Sequence, residues 1–101
     1  MRIYLDDERT PKVEKFDHIV RNFTELTELV LETKERISYI SFDHDLGDYD
    51  KWDGYDAVKW LCELDSLTKI FTEDFTFNVH SANPVGANNI RCYLTQYLKM
   101  L

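Results

Sequence analysis

Ile37-Ser38-Tyr39-Ile40-Ser41-Phe42-Asp43-His44-Asp45-Leu46-Gly47 is the stretch on which the fold turns. Its first six residues alternate and are rich in β-branched and aromatic side chains, which is the pattern of a central strand, and the run stops at two aspartates flanking a histidine. Upstream, Arg2 to Leu5 is a shorter apolar-leaning strand that stops at Asp6 and Asp7. Downstream, Phe75, Phe77 and Val79 share one face of another strand, which runs into His80-Ser81-Ala82-Asn83-Pro84. A further short strand is expected at His18 to Asn22, centred on Ile19 and Val20.

Helices fill the gaps. Thr24 is expected to cap a helix over about residues 25–35, with Glu25 and Glu28 in its first turn and Leu26, Leu29, Val30 and Thr33 on its buried face. Ala57, Val58, Leu61 and Leu64 mark a second helix from about Gly54 to Asp65. Asn83 as cap and Pro84 at the first position open a third, striped by Ile90, Leu94, Tyr97, Leu98 and Leu101. Strand, loop, strand, helix, strand, helix, strand, helix is the order of an α/β domain with a mostly parallel sheet. Twelve residues, 6–17, link the first two strands, near the lower limit for a crossover. Residues 1–101 carry no repeat, low-complexity tract or domain boundary, so one domain is expected.

Composition narrows the function. Of 101 residues, 44% are apolar and 14% aromatic, which excludes a disordered tail, and the length excludes a barrel or a two-domain enzyme. The net charge of −7 is the wrong sign for wrapping a long nucleic acid, whose phosphates are bound by Lys and Arg. Met1 to Leu5 is too short for a signal-peptide core and no apolar run reaches a membrane span, so a cytoplasmic protein is expected. Cys62 and Cys92 lack C-x-x-C spacing and are expected to be small buried thiols. Asp48-Tyr49-Asp50-Lys51-Trp52-Asp53-Gly54 imitates a calcium loop, but its third acid is one residue late and Lys59 stands where the closing Glu belongs. With three glycines in all, there is no phosphate-cradling Gly-rich loop. Asp48, Asp50 and Asp53 are expected to be solvated, and Trp52 and Tyr55 to form a lid packed on the core.

Parallel α/β sheets bind ligands beyond the carboxyl ends of their strands. Three of the four expected strands bring chemically capable side chains there: Asp6 and Asp7; Asp43, His44 and Asp45; His80, Ser81 and Asn83. A single Asp after a strand is often a turn former, whereas three such clusters on one edge point to a site. Crowded carboxylates share protons or hold a hard cation, so Asp6, Asp7, Asp43 and Asp45 are candidate ligands for a magnesium- or manganese-like ion. His80 and His44 are candidate general acids or bases. Ser81 and Asn83, at a helix N-terminus, are placed to hold a phosphate.

Ile3-Tyr4-Leu5-Asp6-Asp7-Glu8-Arg9 with Pro11, Ser41-Phe42-Asp43-His44-Asp45-Leu46-Gly47, Gly54-Tyr55-Asp56 and His80-Ser81-Ala82-Asn83-Pro84 together resemble the cyclic-phosphate processing receiver-like family, over nearly the whole chain. The resemblance implies a shortened receiver-like fold, a four-stranded sheet of order 2-1-3-4 with about three helices and no fifth strand. It also implies handling of cyclic phosphates, as nucleotides or RNA ends. By the same resemblance, Asp43 stands where receivers keep their phosphate-accepting aspartate and Ser81 where they keep a small hydroxyl. The Lys that receivers carry on a fifth strand is missing, which counts against phosphorelay. Three functions follow in order: a metal-dependent phosphoesterase with Asp43, His44 and His80 as catalytic residues, a binding module for a cyclic nucleotide or phosphate, and a phosphoacceptor.

Overall fold

The computed structural model describes residues 1–47 and 49–101; the loop acid Asp48 lies outside the described residues. Strands β1 (Arg2–Leu5), β2 (His18–Val20), β3 (Ile37–Phe42) and β4 (Phe71–Val79) form one parallel sheet in the order β2-β1-β3-β4. Helices α1 (Phe23–Glu32), α2 (Gly54–Thr68) and α3 (Pro84–Lys99) complete it. Among the described residues, the expected α/β class, four-stranded order 2-1-3-4 and three helices are all present.

Strand order fixes which face each connection covers. Steps from β2 to β3 and from β3 to β4 run the same way across the sheet, so right-handed crossovers place α1 and α2 on one face; the step from β1 to β2 runs back and puts residues 6–17 on the other. The side chains agree. Ile3, Leu5, Ile40 and Phe42 form one core with Leu26 and Val30 of α1, Val58 and Leu61 of α2, and Ile90 and Leu94 of α3. Tyr4 and Tyr39 project from the opposite face and meet Phe16 of the connection, with ring centroids 5.1 and 5.8 Å away. No helical turn forms in residues 6–17, which are held instead by Arg21, whose guanidinium donates to Asp6 O, Arg9 O and Thr10 Oγ1.

Several boundaries move, each for a local reason. Asn22, not Thr24, caps α1: its Oδ1 accepts from Glu25 N at 2.8 Å, so β2 ends at Val20 and the helix begins two residues early. Thr24 instead donates through N and Oγ1 to Asp50 Oδ2 at 3.1 and 3.0 Å. Helix α2 continues past Asp65 because that side chain is buried and used inward, Oδ1 accepting from Ile70 N and Phe71 N and Oδ2 from Tyr97 Oη at 2.6 Å. Strand β4 starts at Phe71, four residues before the expected face, and absorbs the extra length in a bulge opposite Ile37 and Tyr39. Asn83 caps α3 as expected, accepting from Gly86 N at 2.9 Å, while Leu101 lies beyond the helix and exposed. Cys62 is buried, but Cys92 sits on the outer face of α3 and is exposed. Among the described residues, no helix is long and apolar enough to cross a membrane.

Candidate functional site

The sheet ladder continues one residue past its strands. Asp6 N donates to Val20 O, Asp43 N to Leu5 O and His80 N to Phe42 O, at 2.9 to 3.1 Å, so three residues from three strands stand in one row. The apolar run ends there because the Asp6 and Asp43 side chains face an open cleft of about 380 Å³, lined by Asp6, Asp7, Glu8, Arg9, Asp43, Asp45, Gly47 and Ala82. Asp6, Asp7 and Asp43 each offer a carboxylate oxygen within 4.8 Å of the others.

Asp6 is the hub. It is fully buried, and Oδ1 accepts from the backbone N–H of Glu8 (2.9 Å) and Arg9 (2.8 Å), while Oδ2 accepts from Arg9 Nε and pairs with His80 Nε2, both at 2.9 Å. Burial by itself would raise its pKa; the two backbone bonds, the His80 bond and the Arg9 charge outweigh it and hold the carboxyl below its usual value. Asp7 shifts the other way, raised by burial and by the charges of Glu8, Asp6 and Asp43. Neighbouring carboxylates with opposite shifts are the pattern that separates a permanently ionised group from one able to exchange a proton. Asp43 is buried, with Oδ1 accepting from His44 N at 2.8 Å and lying 3.5 Å from Arg9 Nη2.

His80 lies behind this row. Its ring stacks on Tyr4, with centroids 4.5 Å apart and planes 4° from parallel, and its Nδ1 meets the buried Ser41 Oγ at 2.7 Å. With Nε2 on Asp6, both ring nitrogens are engaged. His44 is also engaged twice, Nδ1 with Asp45 Oδ1 at 2.8 Å and Nε2 with Asp53 Oδ2 at 3.3 Å. Its ring occupies the space where a Cβ on Gly86 would fall, which is why the first turn of α3 carries glycine there. The hydrogen bond from His44 holds the Asp45 carboxyl below its usual range, with help from Asn83 Nδ2 at 3.3 Å.

The site residues expected from sequence therefore fall into two groups. Asp6, Asp7 and Asp43 converge with His80 at their back; His44, Asp45 and Asn83 form a second cluster at the cleft rim, with Asp45 shared by both. Ser81 Oγ accepts from Asn83 N at 3.1 Å, leaving its hydroxyl hydrogen free to donate. Of the loop acids expected to be solvated, Asp50 anchors the loop to Thr24, and Asp53 caps α2 in a reciprocal bond pair with Asp56. Trp52, itself exposed, packs on Phe23 and Tyr55 on Tyr93, with ring centroids 5.1 and 5.8 Å apart. Sequence reasoning missed Arg9, Tyr4 and Ser41. Arg9 had a signal: three residues after Asp6, it lies within reach of the turn that an aspartate accepting from i+2 and i+3 creates.

A family model described as the cyclic-phosphate processing receiver domain matches residues 1–96. No curated protein and no solved structure matches the chain. The matched span runs from β1 through nearly all of α3 and includes every residue of both clusters, and the chain belongs to the cyclic-phosphate processing receiver domain family.

Proposed function

We propose that the chain hydrolyses a small cyclic phosphodiester, a cyclic nucleotide or the cyclic end of an RNA, with a divalent cation held by Asp6, Asp7 and Asp43 and with Asp45 at the rim. The observation that carries this reading is the convergence of three carboxylates from two adjacent strand ends on the floor of one cleft. The donor set fits a hard ion: it is all oxygen, and magnesium ligands at about 2.1 Å stand up to about 4.2 Å apart across the ion, close to the spacing present. When bound, such an ion supplies charge neutralisation at the phosphoryl oxygen and a more acidic water.

The protein's own groups supply the rest. Asp7 offers the cation one carboxylate oxygen, and its other oxygen is the group assigned here to take a proton from the attacking water. The water oxygen bonds to phosphorus, one of the two ring P–O ester bonds breaks, and the leaving alkoxide takes the proton that Asp7 received, giving a phosphate monoester. Ser81, the Asn83 amide and the N-terminal turn of α3 are the groups assigned here to phosphate oxygens, on the ground that the α3 N-terminus begins at Asn83. His80 acts through Asp6, whose charge and orientation it fixes; His44 positions Asp45. The net −7 then ceases to be an obstacle, because a small phosphate meets the carboxylates together with their cation.

Turnover of a panel of cyclic nucleotides and cyclic-ended RNA with magnesium or manganese tests this. Product is expected, with Asp43→Asn and Asp7→Asn each lowering the rate by roughly 100-fold or more. Absence of product, or variants equal to wild type, would sink it. Because both histidines have both ring nitrogens engaged, a binding module is the second reading; it predicts ligand-dependent thermal stabilisation without product. A phosphoacceptor ranks third, since the described residues lining the cleft include no Lys; labelling of Asp43 by a small phosphodonor would revive it.

A further inference from the structure

Building on the cation-dependent reading above, we propose that Arg9 is an exchangeable counter-ion of the carboxylate cleft: its guanidinium occupies Asp6 and Asp43 until a divalent cation takes its place, and once released it faces the phosphate.

The case rests on counting the acceptor sites of Asp6. A carboxylate has about four lone-pair sites, and Asp6 fills four, with Glu8 N, Arg9 N, Arg9 Nε and His80 Nε2. A cation can reach this oxygen pair only by replacing a donor. Two of the four belong to the backbone of a turn that Arg21 clamps from outside through Asp6 O and Arg9 O. The third, His80, is wedged between Tyr4 and Ser41 and is mostly buried. Arg9 Nε is the remaining one, and the Arg9 side chain is 49% exposed. The Arg9 backbone is fixed while its side chain has solvent to move into.

The second contact fits the same role. Arg9 Nη2 is 3.5 Å from Asp43 Oδ1, longer than a good charge-assisted bond, so one guanidinium spans two of the three carboxylates without saturating the second. Arg9 is also the one cation among the described residues lining the cleft. A guanidinium keeps its charge at any working pH, so it leaves by moving and not by losing a proton. Charge follows simply: three carboxylates and Arg9 sum to −2, and exchange for a divalent ion leaves −1 at the carboxylates with a free guanidinium beside them.

Manganese and magnesium are the probes. In the wild-type chain, the side-chain Nε–H resonance of Arg9, followed by 15N NMR, is expected to lose its hydrogen-bonded shift and exchange faster with water as magnesium is added. In parallel, Arg9→Met is expected to bind manganese about tenfold or more tightly than wild type by titration calorimetry, because the internal competitor is gone. Inorganic phosphate added with magnesium should then bind wild type more tightly than Arg9→Met, and equal phosphate affinity overturns the part given to the released guanidinium. Equal manganese affinity in the two proteins, with an Arg9 resonance that does not respond, overturns the counter-ion role while leaving the cation-dependent reading intact. No manganese binding by either protein overturns both. The wild-type NMR titration stands even if the variant folds poorly.

Discussion

Asn in place of Asp6 keeps the shape of the hub and removes its charge. Oδ1 still accepts from Glu8 N and Arg9 N, but the atom replacing Oδ2 is an amide nitrogen facing two donors, Arg9 Nε and His80 Nε2. A bond to an ionised acceptor contributes about 1.5–3 kcal/mol, and the Arg9 bond, being half exposed, no more than about 1 kcal/mol. His80 recovers part of its loss by carrying its proton on Nδ1, where Ser41 Oγ accepts it, so that Nε2 accepts from the new amide. The expected net cost at pH 7 is about 2–3 kcal/mol, or roughly 10–20 °C in Tm for a chain of this size. Urea unfolding of wild type and Asp6→Asn between pH 7 and pH 2.5 measures it. The Asp6 pKa is lowered in the folded state, so its contribution is present above the unfolded value near about pH 4 and is lost as pH falls through the folded value. The gap between the two proteins should therefore narrow below about pH 4. A difference under about 0.5 kcal/mol at pH 7, or a gap that widens in acid, would falsify the placement of Asp6 as a charged hub.

Asp7→Asn should raise stability at pH 7 by a few tenths to about 1 kcal/mol, since folding raises the Asp7 pKa and its ionised form is a cost above that value; chemical unfolding checks this, and the same variant should lose turnover. Tyr97→Phe leaves Asp65 Oδ2 without its donor inside the core and should cost about 1.5–3 kcal/mol in urea unfolding, with Asp65→Asn/Tyr97→Phe less than the sum of the singles. Iodoacetamide at pH 8 should modify one thiol in the native protein and two in urea, because burial and then the Asp65 charge push Cys62 up to about 12 while Cys92 is exposed.

The architecture was legible because each strand ends on a change of chemistry. Phe42 to Asp43, Leu5 to Asp6 and Val79 to His80 mark where the apolar pleat meets the cleft, and the same three steps locate the site. What was hidden depended on tertiary partners. Asp65 reads as a helix end until Tyr97 and the turn to β4 are placed against it. Asn22 reads as strand and Thr24 as cap until Asp50 comes across from the loop to accept from Thr24. Ser41 reads as an ordinary outward strand residue, yet it orients His80 from 39 positions away. Spacing revealed which side chains gather at the strand ends; it could not reveal that His80 lies behind Asp6 and not beside it.

The bond from Gly54 N to His44 O, 2.7 Å long, brings together the two ends of the connection between β3 and α2. A stitched loop is cheap to redesign: doubling its length costs only about 0.6 kcal/mol of closure entropy. Asp6 and Asp43 beneath are held by the sheet ladder, so loop sequence exchanged beyond Asp45 can alter what the cleft admits while its floor is unchanged. Gly54 is the fixed point of that freedom, since any side chain there would strike the backbone of Asp43 and open the stitch. Tyr49 and Lys51, exposed between the Asp45 rim and the Asp53 cap, are accordingly the positions at which to graft new ligand preferences onto this scaffold.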